Sequence, residues 1–179
     1  VVDASWRLPG PDGRPERDVK ADYRLAHIPG AVFFDIDEIA DTDSPLPHML
    51  PSAEKFSSRV RKLGLGDGSR IVVYDQLGLM SAARVWWTFR VMGHKDVVVL
   101  DGGLPKWIAE GRPVEDLLPP PRERHFTAQV NHDLVRSYDQ VRRALDSGRE
   151  QVADARPAPR FRGEAPEPRP GLRGGHMPG

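Results

Sequence analysis

Apolar residues in this chain come in two alternating patterns. Ile71 to Tyr74 is an unbroken, β-branched apolar run, which predicts a strand buried on both faces in the middle of a parallel sheet. After a short stretch, 75–80, Val85, Phe89 and Met92 recur at i, i+4 and i+7. That spacing gives a helix with one apolar face, and Gly93 can end it in a left-handed conformation. Strand, short loop and helix form one unit. The loop N–H groups and the helix N-terminus of such a unit point at the mouth of the sheet and stabilise an anion or an anionic nucleophile there. The residue in that place is Asp75, and the chain contains no cysteine.

The same alternation extends to both sides. Val1 to Ala4 reads as a short strand, followed by a Pro/Gly-rich loop from Pro9 to Pro15. His27-Ile28-Pro29-Gly30-Ala31 is a turn into a strand over 32–36, with Asp37 at that strand's end. Residues 41–51 hold three prolines and predict a loop, with His48 near its close. Ser52 caps a helix striped by Phe56, Val60 and Leu63 that Gly64 ends. Val97 to Leu100 is another strand. Asp101-Gly102-Gly103 is a tight turn, and Leu104, Trp107 and Ile108 form one face of a short helix that Gly111 closes. Periodicity then fades until Ser137 and Gln140 form a capping box ahead of Tyr138, Val141 and Leu145. The pattern predicts an α/β domain with a mostly parallel sheet over 1–111, a linker over 112–136, and a further segment over 137–179.

A repeat says what that further segment is. Val2-Asp3-Ala4 and His27-Ile28-Pro29-Gly30 return as Ala153-Asp154-Ala155 and His176-Met177-Pro178-Gly179, about 150 residues later. Two matched strand ends and two matched turns at nearly one offset predict a second copy of the domain. Its strand-loop-helix would fall beyond Gly179.

Composition removes several function classes. Acidic and basic residues balance at 26 each, and Glu123, Asp133, Asp139, Asp146, Glu150 and Asp154 interleave with the arginines after residue 120, so no nucleic-acid stripe is expected. No apolar run approaches a bilayer span and no signal-peptide pattern opens the chain, which predicts a cytoplasmic protein without a membrane partner. The six histidines lack metal spacing, and no G-x-G-x-x-G follows a strand, so neither a metal nor a cofactor is expected. Adjacent Trp86 and Trp87 read as packing residues.

Taken together, the turn HIPGA, the strand FFDID, the run VVYD…RVWWTFR, the strand-turn LDGGLPKW and the segment DARPAPRFRGEAPEPR resemble the tandem-domain sulfurtransferases of the rhodanese and 3-mercaptopyruvate sulfurtransferase family. The resemblance covers essentially the whole chain. It implies a rhodanese-like three-layer α/β/α domain followed by a truncated second copy. In that family the first domain lacks the nucleophile, and a cysteine in the second takes sulfur from a small-molecule donor, 3-mercaptopyruvate or thiosulfate, as a persulfide. A thiol, thioredoxin among the candidates, or cyanide accepts it. Asp75 then stands at the nucleophile-equivalent position of the first domain, as a capping carboxylate.

The resemblance also assigns roles to four further residues. Asp37 and His48 match an aspartate and histidine that look like a proton relay for the substrate; read without the family, Asp37 is as well a turn cap and His48 a packing residue. Arg160 and Arg169 match two arginines that bind the substrate's carboxylate and carbonyl, where a planar guanidinium fork suits a carboxylate; otherwise they read as solvated surface arginines. His48 and Arg169 favour mercaptopyruvate as donor. The alternatives are a thiosulfate sulfurtransferase and a non-catalytic rhodanese-like binding module.

Overall fold

A computed structural model describes residues 1–8, 17–120, 122–168 and 171–177. The chain divides into two compact units, Val1–Leu134 and Val135–Gly179.

The first unit is built on four parallel strands in the order β2-β1-β3-β4. They are β1 (Val2–Asp3), β2 (Val32–Phe33), β3 (Ile71–Tyr74) and β4 (Val97–Val99). The helices between them are α1 (Val19–Leu25), α2 (Ile36–Ile39), α3 (Ala53–Lys62), α4 (Ala82–Val91) and, after β4, α5 (Gly103–Ala109). The alternation of side chains along β3 divides the core into two faces. Ile71 and Val73 join Phe34, Phe56, Val60, Val85 and Phe89 on one, while Tyr74 packs with Ile28, Ala31 and Leu104 on the other. Phe56, Phe89 and Phe126 meet edge to face, with ring centroids 5.2 to 6.1 Å apart.

Two glycines are fixed by close approach. Gly93 (φ 87°) ends α4 where a Cβ would sit 2.9 Å from the carbonyl of Gln129. Gly103 (φ 54°) opens α5 where a Cβ would come within 2.4 Å of the Asp75 carbonyl, so the β4–α5 turn lies directly against the β3–α4 loop.

The strand over 32–36 stops at Phe33: Asp35 accepts N–H bonds from Asp37 (3.0 Å) and Glu38 (3.1 Å) and caps α2, so Asp37 lies in a first helical turn and not at a strand end. Helix α1, capped by Asp18, follows the Pro/Gly-rich stretch and was not predicted. The expected linker over 112–136 runs largely along the first unit. Glu115 pairs with His27 backbone to backbone, Phe126 is buried in the core, and Gln129 and Asn131 bond to the carbonyls of Met92 and Val91.

The second unit holds α6 (Tyr138–Ser147), started by the Ser137–Gln140 capping box and ended by Gly148 at φ 62°, and α7 (Ala158–Phe161). None of its described residues is fully buried.

Candidate functional site

At the carboxyl ends of β1 and β3 the chain gathers polar groups in two places. One is the loop after β3. Asp75, 1% exposed, accepts four backbone N–H bonds: Leu77 to Oδ1 at 2.9 Å, and Met80, Ser81 and Ala82 to Oδ2 at 2.7, 3.0 and 2.9 Å. Ser81 makes no side-chain cap of α4, so the Asp75 carboxylate satisfies the first N–H groups of that helix from outside. The loop is thus a ring of donors around one anion, and that anion is the protein's own.

The other place is the pair Asp37–His48. His48 Nε2 lies 2.7 Å from Asp37 Oδ1, with the imidazole 24% and the carboxylate 64% exposed. The indole Nε1 of Trp6 donates to both carboxylate oxygens at 3.1 Å, and the Trp6 ring stands edge-on to the imidazole at 4.8 Å. Arg84, from the first turn of α4, donates from Nη2 to the carbonyl of His48. Burial holds the Arg84 guanidinium below its usual range, and it also stacks over Trp87 at 4.9 Å. His48 takes φ 57°, the sole left-handed non-glycine residue among those described. The family resemblance, and not spacing alone, pairs Asp37 with His48; it leaves out Trp6 and Arg84. For Trp6 one signal exists, its place three residues after the carboxyl end of β1, the end of the sheet where α/β proteins place their ligands.

The cleft beside this pair, between Phe34, Ile36, Met49, Arg84 and Thr88, has a volume of about 20 Å³. About 10–15 Å³ of such space holds one water molecule, so the cleft alone has room for about one water and does not enclose a substrate. Among the described residues, no three His, Asp or Glu side chains converge as a metal site, and no helix is long and apolar enough to cross a membrane.

Residues 12–110 match the family description of the rhodanese-like domain. The chain belongs to the rhodanese-like family. Over its whole length it is 44% identical to 3-mercaptopyruvate sulfurtransferase of Homo sapiens and 44% identical to thiosulfate sulfurtransferase of Rattus norvegicus, and it spans 60% of each. The rhodanese-fold crystal structure of the 3-mercaptopyruvate sulfotransferase SseA from Escherichia coli superimposes with a TM-score of 0.87 at 40% identity, covering 99% of this chain and 65% of that one.

In this rhodanese-like chain the predicted substrate arginines belong to the second unit. Arg169 lies outside the described residues. Arg160 is already engaged: its Nε and Nη2 lie 3.1 and 2.5 Å from Glu167 Oε2. Glu167, 5% exposed at its side chain, also accepts from Arg156 Nη1 at 2.8 Å, and Arg156 in turn grips Asp154 and the carbonyl of Gly175. The two guanidinium groups hold the Glu167 carboxyl below the usual range, Arg160 most strongly.

Proposed function

We propose that this chain is the first domain, and the start of the second, of a tandem sulfurtransferase whose donor is 3-mercaptopyruvate. The observation that carries the reading is the Asp37–His48 pair, held at 2.7 Å at the mouth of the sheet. On this reading a cysteine C-terminal to Gly179 attacks the substrate sulfur, an S–S bond forms and the C3–S bond breaks. The electron pair goes to C3, leaving the enolate of pyruvate. With the cysteine attacking as its thiolate and the persulfide formed as its anion, the proton of the substrate thiol is the one that C3 needs, so a single histidine can take it from sulfur and return it to carbon. Asp37 keeps one imidazole nitrogen engaged and supports the imidazolium between those events. Thiosulfate needs no such group, because its leaving group is sulfite, which departs without protonation at carbon.

The acceptor of the persulfide sulfur is a small thiol, thioredoxin or cyanide, and the protein works in the cytoplasm. Arg160 and Arg169 serve the donor's carboxylate and carbonyl. Arg160 does so with the Nη1 side of its fork, since Nε and Nη2 are committed to Glu167.

The test is His48→Ala in the protein extended through its second domain. Turnover with mercaptopyruvate should fall by about 10²–10⁴-fold, the usual size of a general acid–base contribution, while thiosulfate turnover changes by a few-fold at most. Equal losses with both donors would remove the relay. A second reading, a binding module, is favoured by one observation: Asp75 fills the donor ring that a reactive anion would need. The extended protein separates the two, since a module transfers no sulfur from either donor.

A further inference from the structure

The Asp37–His48 pair is unusually exposed for a pair of fixed geometry. Asp37 is the more open partner, and a carboxylate with 64% of its surface in solvent ordinarily samples several rotamers and exchanges its partners with water. Three contacts oppose this. The Trp6 indole N–H sits equidistant, at 3.1 Å, from both carboxylate oxygens, so rotation of the group in either direction breaks a bond. The indole edge meets the imidazole at 4.8 Å with the planes 79° apart, which fixes the face that His48 presents. Trp6 itself is pinned where it leaves β1, its backbone N–H donating to Ser81 Oγ at 3.1 Å.

The fourth contact acts on the backbone. A non-glycine residue at φ 57° costs free energy that the surroundings must offset, and residues held this way mark places where geometry matters. The Arg84 guanidinium bonds the carbonyl of that residue and is itself clamped over Trp87. Side chain and backbone of His48 are therefore fixed by separate residues, from the end of β1 and the start of α4. Neither Trp6 nor Arg84 has a titration of its own to offer near neutral pH.

We propose that Trp6 is a positioning residue for the Asp37–His48 pair: its indole N–H locks the carboxylate so that the imidazole keeps its proton on Nε2, directed at Asp37, with Ser81 and Arg84 holding the two halves of the arrangement in register. The role in turnover rests on the proton-relay reading given above; the locking does not. Trp6 and Asp37 lie 31 residues apart and meet through a tertiary hydrogen bond, so the carboxylate direction is not set by α2 alone.

The chain itself, with ¹⁵N-labelled histidine, tests the locking. NMR should find neutral His48 as the Nε2–H tautomer with a slowly exchanging ring proton. Trp6→Phe keeps an aromatic ring and deletes the donor; exchange of that proton should rise about tenfold, the factor for one hydrogen bond of ordinary net strength, with the unfolding midpoint of the first unit nearly unchanged. Ser81→Ala, which deletes only the anchor of the Trp6 backbone, should raise it in the same direction by less, and serves as the measurement if Trp6→Phe does not fold. Unchanged tautomer and exchange in the folded variant overturn the proposal. In the extended enzyme Trp6→Phe should lower kcat with mercaptopyruvate while leaving KM and thiosulfate turnover in place. If the NMR effect is present and that selective loss is not, the relay reading fails while the locking stands.

Discussion

Asp3 and Asp154 occupy the same place in the sequence repeat, and the chain puts them in opposite electrostatic settings. Each accepts a backbone N–H bond from the residue two further on, at 2.9 Å in both cases. In the first unit that residue is Ser5 and the aspartate is fully buried in the sheet; burial pushes the Asp3 carboxyl up, and the hydrogen bonds from Ser5 offset this only in part. In the second unit that residue is Arg156, whose guanidinium bonds both Asp154 oxygens and brings the carboxyl down to about 2. The turns that close each repeat follow suit. His27 bonds the carbonyl of Tyr23 at 2.6 Å and stacks on its ring in full burial, while His176 bonds the carbonyl of Phe161 at 2.8 Å and stacks on it near the surface. A shared backbone motif therefore leaves open whether burial or ion pairing holds it: Asp3 lies in a strand flanked on both sides by β2 and β3, whereas Asp154 lies in no strand and is held by Arg156.

The largest expected effect breaks the first half of the comparison. Phe89 is fully buried against Phe34, Phe56 and Phe126, so Phe89→Ala should cost the first unit about 3–5 kcal/mol. Urea unfolding followed by tryptophan fluorescence measures it, because all four tryptophans lie in that unit. The second half is broken by Arg156→Met. With Asp154 and the Gly175 carbonyl released and Glu167 left to Arg160 alone, the amides of Gly163 and Glu164 should exchange hydrogen faster than in the parent chain.

A smaller effect sharpens the contrast through pH. Asp3 is raised in the folded chain above 3.8, so its own contribution to the first unit's stability should be lost as pH rises from 3.8 through the folded value, against the opposite trend of the lowered Asp35 and Asp67; Asp3→Asn should remove that component. Asp154 is lowered to about 2, so its contribution is present above 3.8 and is lost as pH falls from 3.8 towards 2, with the lowered Glu167 acting in the same sense. The Asp3-dependent part of the first unit's unfolding midpoint between pH 3 and 7, taken as the difference between the parent chain and Asp3→Asn, and the amide protection of the second unit should move in opposite directions.

Much of this architecture is legible in the sequence, for identifiable reasons. β3 and α4 carry unmistakable periodicities, and Ser137 with Gln140 forms its capping box as read. Helix α1 escapes notice because it is short and polar, with Tyr23 its sole fully buried residue and therefore no apolar stripe to detect. At α2 the alternation of FFDID imitates a strand, and the capping by Asp35 that overrides it is a local hydrogen bond which propensity does not register. Phe126 is an isolated aromatic in a stretch without period, and only the packing of α3 and α4 makes a place for it. At the site, Asp37 and His48 could be paired through family motifs. Trp6 is separated from Asp37 by 31 residues and meets it through a tertiary contact that no spacing rule encodes.

The β3–α4 loop is an anion cradle that the first unit fills with its own carboxylate, Asp75. Asp75→Cys tests it most directly, by titrating the introduced thiol through its thiolate absorbance. With the N–H groups of Leu77, Met80, Ser81 and Ala82 facing it, the thiol should ionise at least about one pH unit below the ordinary value of about 8.5. A thiol that titrates at or above 8.5 in the folded protein would contradict the account, because burial without the cradle raises it.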